Sequence, residues 1–319
     1  MNTRDNVVGT ATTGFTASPW ALRWLRPLAL ANLVANILIV VTGGIVRLTG
    51  SGLGCDTWPK CTEDRYTAHA ETGIHGAIEF GNRMLTWILV ALAIAFVVAA
   101  FKSNDRRTRI LSVLVAVGIP LQAVLGGITV LTDLNPWVVS LHLMASMLMI
   151  AFCVLALDHL SGSARPAAPA LLGRLAWALL LLGWVILYLG TIVTGSGPHA
   201  GDVDAKRNGL SPENTAKIHA WTVYLLCLGT VVLLWLSRRR GLTLVLRAGL
   251  VLLGVELFQG VVGYVQYFNG LPEVLVIAHM LGAGLLSAAV TWVVLATQHS
   301  DGGVLVGTLT SAGSDEPLR

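Results

Sequence analysis

Charge is scarce in this sequence. Asp, Glu, Lys and Arg supply 12% of its 319 residues, too few to coat a soluble globule, and the mean hydropathy of +0.72 belongs to a polytopic membrane protein. Cysteine is scarce as well, and four of them exclude a disulfide-built scaffold. Residues 1–20 lack a short apolar core followed by a small-residue cleavage site. The reading is therefore no signal peptide and a first helix retained as an anchor. Basic residues sit in short loops at the ends of apolar runs, without interleaved aromatics. The net charge of +4 and the pI near 9.0 thus point to membrane orientation and not to nucleic acid.

Long apolar runs are what the chain does have. A spanning helix needs about 20 such residues, and eight runs qualify: 28–46, 78–101, 109–131, 138–158, 171–194, 216–236, 243–266 and 274–297. The expected fold is an all-α integral membrane protein of eight transmembrane helices. With the amino terminus placed inside, Lys and Arg favour the inner loops two to one. Both termini are then cytoplasmic and the loop after the first helix is extracellular. The polar tails, 1–20 and 299–319, are expected to be disordered. Pro120 is the one proline expected inside a helix.

The chain also repeats itself. "QAVLGGITVLTDLNPWVVSLH" (122–142) returns as "QGVVGYVQYFNGLPEVLVIAH" (259–279), an offset of 137 positions. "IVRLTGSG" (45–52) returns as "IVTGSG" (192–197) at a slightly different offset. Parallel repeats about an axis along the membrane normal are a known plan, so the helices are expected as two pseudo-symmetric four-helix bundles. The expected division is a tail over 1–27, a first bundle over 28–160, a second over 161–298 and a tail over 299–319.

Four positions near the outer helix ends stand out: Asn82 and His142 in the first half, His219 and His279 in the second. The offset maps Asn82 onto His219 and His142 onto His279. A lone intramembrane histidine is most simply an interhelical hydrogen-bonding group. Two imidazoles on facing helices at matched depth suit bis-histidine haem ligation instead, which makes His219 and His279 a b-type haem site. His69, His159, His199 and His299 rank below them.

"GGIVRLTGSGLGCDTWPKC" (43–61), "IEFGNR" (78–83), "LH" (141–142), "GTIVTGSGPHAGD" (190–202), "KIHAW" (217–221) and "AHMLGAG" (278–284) together resemble the haem A synthase family. The resemblance spans about 28–297, and "EFGNR" suggests its actinobacterial branch. It implies an oxidoreductase that converts the C8 methyl of haem O to a formyl group by two hydroxylations, giving haem A for cytochrome c oxidase. It implies haem b on His219 and His279 as cofactor and haem O on His142 as substrate. It leaves the electron donor unidentified, and it allows contact with haem O synthase and self-association. The competing reading is a transmembrane b-type cytochrome that only passes electrons.

Glu79 maps at offset 137 onto Ala216, so its carboxylate belongs to the first half alone. It is the expected catalytic group, stabilising charge at the reacting methyl or moving protons; the plainer reading is an ion pair with Arg83 or Arg47. Asn82 departs from the family pattern, which has histidine three residues after this glutamate. The expectation is a five-coordinate substrate haem on His142 with the Asn82 face open. His75 lies about 10 Å higher by helix rise, too far for the same iron, as a group that supports the site from behind its ligands or contacts a propionate. Arg47 and Arg83 are the expected propionate contacts. Cys55 and Cys61 flank "DTWPK" on the oxidising face, where a disulfide fits; no second ligand pair accompanies them to hold zinc.

Overall fold

A computed structural model describes residues 18–162 and 164–302. It contains eight long helices: α1 (Pro19–Leu48), α2 (Gly73–Phe101), α3 (Arg106–Leu131), α4 (Pro136–Ser161), α5 (Ala170–Ser196), α6 (Pro212–Arg239), α7 (Thr243–Phe268) and α8 (Glu273–Thr297). All eight are long and apolar enough to cross a membrane, and among the described residues there is no β-sheet. In the first half each helix packs on the next and α4 returns to α1; α5 to α8 close the same kind of ring. The rings meet through α1, α4, α5 and α8.

Local chemistry sets the helix ends. Proline occupies the first turn of α1, α4 and α6, where its missing N–H costs nothing. Asn135, Asp105 and Ser211 cap α4, α3 and α6 by accepting from the amides of Trp137, Thr108 and Asn214. The first helix begins at Pro19, earlier than its apolar run. Ala21 and Leu25 are fully buried there, Leu25 packed with Phe96 and Ala100, while Arg23 and Arg26 face outward. A proline that the run left outside, Pro27, therefore joins Pro120 within a helix. Residues 299–302 were expected in a disordered tail, yet Ser300 pairs with Arg165 through both backbone bonds. The rest of the tails, 1–17 and 303–319, lies outside the described residues.

The largest buried cluster spans both halves, joining Ile37, Met147 and Ile150 to Leu286 and Val290. Gly44 on α1 lets Met280 of α8 approach closely enough that any Cβ would collide with it. The Ser287 hydroxyl donates to the Met147 carbonyl at 2.9 Å. Large apolar side chains such as Leu30, Ile94, Leu181 and Val261 stay exposed around the outside, as a lipid-facing surface requires. The sequence repeat is also a repeat of backbone conformation. Leu134 and Leu271, 137 apart, both adopt left-handed φ of 54° and 61°. Each sends its amide back to a helix carbonyl at 2.8 Å, Leu134 to Thr129 and Leu271 to Gln266.

Asp105 ties α3 to α4: its Oδ2 accepts from Thr108 at 2.6 Å and lies 2.8 Å from His159 Nε2. Burial pushes this carboxyl up, but the Thr108 hydroxyl and amide and the His159 ring outweigh it and hold it below the ordinary carboxylate range. A depressed carboxylate stabilises fully above its unfolded value and loses that contribution as pH falls through the folded one. Asparagine keeps the cap but gives up the charge-assisted bonds to Thr108 and His159, so Asp105→Asn should lower the melting temperature at pH 7 by what a loss of about 1 kcal/mol produces. The gap from wild type should close as pH drops below about 3.9. A gap that stays constant to pH 3 would contradict this.

Candidate functional site

The second bundle brings two imidazoles face to face. His219 projects from α6 and His279 from α8, with ring centroids 6.4 Å apart and planes inclined at 68°. A metal bonded to both rings at about 2 Å per nitrogen would separate the centroids by roughly 6 Å, so the pair has the spacing that one iron needs. Each ring lies on a glycine of the neighbouring helix. A methyl added to Gly190 or Gly263 would stand 3.5 Å from Cε1 of His219 or His279. Nδ1 of both rings is buried and lacks a hydrogen bond of proper geometry, although the Ile186 carbonyl lies beside His219. Gln259 donates to the His279 carbonyl at 3.0 Å, fixing that turn of α8.

The first bundle builds three quarters of the same site. His142 of α4 lies on Gly126, 3.4 Å from a methyl placed there, and its Nδ1 is buried without a partner. Gln122 reaches the His142 carbonyl at 3.5 Å and Ser146 Oγ at 2.6 Å, as Gln259 does in the other half. The fourth place differs. Asn82 on α2 leaves its Oδ1 buried and unpartnered. Gly43, the counterpart of Gly190, has nothing within 4 Å of an added Cβ. A cleft of about 190 Å³ opens here, lined by Thr42, Ile45, Val46, Ile78, Asn82 and Leu85. The space that an imidazole fills against Gly190 is empty against Gly43.

Buried imidazoles without partners fit an iron-bearing group, since an unmade bond in an apolar interior is costly. Among the described residues no three His, Cys, Asp or Glu side chains gather as around a bare ion. A porphyrin brings four ligands of its own, so a pair of imidazoles, or one, suffices.

Glu79 lies near the N-terminal end of α2 and is 5% exposed. Its Oε1 accepts from Nε of Arg83 at 3.1 Å and from Nη2, and its Oε2 accepts the Cys55 amide at 2.7 Å. The ion pair expected as the plainer reading is thus formed with Arg83. Arg83 gives its remaining N–H groups to the carbonyls of Thr57 and Lys60 at 3.1–3.2 Å. All five of its donors are engaged by Glu79 and the loop, so a propionate contact from Arg83 is not what this geometry offers. Cys55 and Cys61 form a disulfide. His75, exposed on the rim, meets Ser51 Oγ at 2.9 Å. Arg47 donates to the Thr194 carbonyl at 2.8 Å, bridging α1 to α5. His159 is spent on Asp105 and His199 on the Leu271 carbonyl.

Sequence reasoning missed Glu256. It is 3% exposed on α7, accepts from Thr230 Oγ1 at 2.7 Å and leaves Oε2 unpartnered. Its repeat mate is Ile119, so the test that singled out Glu79 would have found it. The roles of Gly126, Gly190 and Gly263 as rests for histidine rings also needed the third dimension.

Two linked four-helix bundles, with an imidazole pair in one and a histidine and an asparagine at the matching positions of the other, define an eight-helix protein with the helices to span a membrane. The chain belongs to the cytochrome oxidase assembly protein family, whose profile matches residues 26–77 and 67–201. It is 24% identical over 297 residues to a heme A synthase of Listeria welshimeri, covering 87% of this chain and 97% of that one. It is 23% identical over 299 residues to one of Listeria monocytogenes, with the same coverage. A heme A synthase of Symbiobacterium thermophilum is 28% identical over 190 residues, which is 55% of this chain and 61% of the relative.

Removing one partner of a buried pair costs about 3–5 kcal/mol, while replacing both is far milder. Arg83→Met should therefore lower the melting temperature of the purified protein more than Glu79→Gln combined with Arg83→Met. A single variant as stable as the double would mean that Glu79 is not a buried, paired carboxylate.

Proposed function

We propose that this chain is a haem A synthase that oxidises the C8 methyl of haem O to a formyl group by successive hydroxylations. One observation carries the reading: the same scaffold is built twice, with a complete imidazole pair in one bundle and an incomplete one in the other. A complete pair suits a resident haem b, and an incomplete pair suits a haem that must react. A cytochrome that only passes electrons has no use for that difference, which disfavours the competing reading.

In this account His219 and His279 hold haem b, which supplies one-electron redox chemistry when bound. Gly190 and Gly263 support the two rings and leave no room for larger side chains beneath them. His142 holds haem O from one side. Asn82 and Gly43 keep the other side clear, and the cleft beside Asn82 has the volume for a small ligand. Glu79 is held in one orientation by Arg83 on one oxygen and the Cys55 amide on the other, placed to stabilise positive charge at the reacting methyl or to move a proton. Arg47, which gives only Nη2 to the protein, is the candidate propionate contact. His75 fixes Ser51 at the start of the outer loop and does not reach an iron on His142. The loop faces outside and both termini face the cytoplasm, as the distribution of Lys and Arg supports. Haem O and the bilayer are the partners of this reading; the electron donor carries no signature here.

Changing either His219 or His279 to Ala should remove most low-spin haem b absorbance from purified protein. A double variant with an unchanged spectrum would sink the assignment. Asn82→His should fill the space against Gly43, turn the substrate haem six-coordinate and low-spin, and slow haem A formation. A wild-type substrate haem that already shows two nitrogen ligands would contradict the open face.

A further inference from the structure

We propose that Trp58 roofs the first-bundle haem site, and that Glu79 and Arg83 act on substrate binding through it. The inference rests on the reading of His142 as the ligand of haem O.

Trp58 lies in the stretch closed by the Cys55–Cys61 disulfide. Its indole packs directly on α3: a methyl added at Gly127 would collide with Cδ2, Cε2 and Cγ of its five-membered ring. The preceding residue, Gly126, is the one that supports His142. Two rings from distant parts of the chain are thus seated on consecutive residues of one helix, about 100° apart around its axis. His142 arrives from within the membrane and Trp58 from the outer loop.

Three contacts around Trp58 set its place. Glu79 accepts the Cys55 amide before it, and Arg83 holds the Thr57 carbonyl beside it and the Lys60 carbonyl after it. The Glu79–Arg83 pair therefore holds the loop that carries the indole. An indole presents a broad, rigid apolar face that loses little conformational freedom on contact, a good match for a porphyrin.

The second bundle has no such device. Offset 137 places Tyr264 where Gly127 stands, and that ring turns outward to stack on Phe268 at 6.2 Å. Its outer loop, 197–211, contains neither Trp nor Cys. A resident cofactor needs no removable cover, but a substrate that enters and leaves does. The roof stands only over the bundle assigned to substrate.

The test uses the full-length purified protein, with haem O titrated by absorbance and haem b counted separately. Trp58→Ala should weaken haem O binding about tenfold, as loss of a large aromatic contact does, with haem b content unchanged. Trp58→Phe, which keeps a flat apolar ring, should lose much less. Glu79→Gln should also weaken haem O binding on its own, yet add nothing to Trp58→Ala, because residues acting through one contact are not additive. Wild-type haem O affinity in both Trp58 variants would overturn the proposal. So would a full Glu79→Gln effect in the Trp58→Ala background. His142→Ala separates the two levels: if it keeps haem O with an unaltered spectrum, the site assignment itself fails, whatever Trp58 does.

Discussion

An imidazole nitrogen buried among apolar helices needs a partner, and the placement of three such rings at matched positions organises the rest of this chain. The glycines beneath them follow from it, since a bare backbone lets each ring lie close on the neighbouring helix, 3.4–3.5 Å from where a methyl would stand. The glutamines follow as well: Gln122 and Gln259 hold the carbonyls of His142 and His279 and so fix the turns that aim the rings. Even the left-handed Leu134 and Leu271 belong to this frame, because they close the turns that start the helices bearing those histidines.

Function in a duplicated scaffold is written where the two copies disagree. His219 faces Asn82 across the repeat, Ala216 faces Glu79, Tyr264 faces Gly127 and Glu256 faces Ile119. Three of these differences give the first bundle a cleft at Asn82, a carboxylate held by Arg83 and the Cys55 amide, and a place for an indole. The fourth gives the second bundle a buried carboxylate bound to Thr230. On the proposed function, symmetry supplies the housing for two porphyrins of similar size, and its local failure separates a cofactor from a substrate.

Much of this was legible in the sequence, for physical reasons. Apolar runs near 20 residues admit one structure in a bilayer, and the offset of 137 exposed the two related halves and paired His142 with His279 and Asn82 with His219. The start of α1 was not legible, because Arg23 and Arg26 interrupt the hydropathy while facing outward from a helix whose other side is buried. Glu79 was legible as a singular carboxylate, but its partners were not: which carbonyls Arg83 holds depends on how the outer loop folds back over α2. Trp58 and Gly127 are 69 positions apart with no periodicity to join them. Glu256 was readable by the repeat and simply went unread.

The central claim is that the two bundles hold chemically different haems. Extracting the purified protein and separating its haems by chromatography, with pyridine haemochrome spectra on each fraction, tests it directly. The account predicts haem b together with haem O, its alcohol or haem A, and predicts that His142→Ala loses the second kind while keeping haem b. Haem b alone, filling both bundles of the wild-type protein, would contradict it and leave an electron-transfer cytochrome.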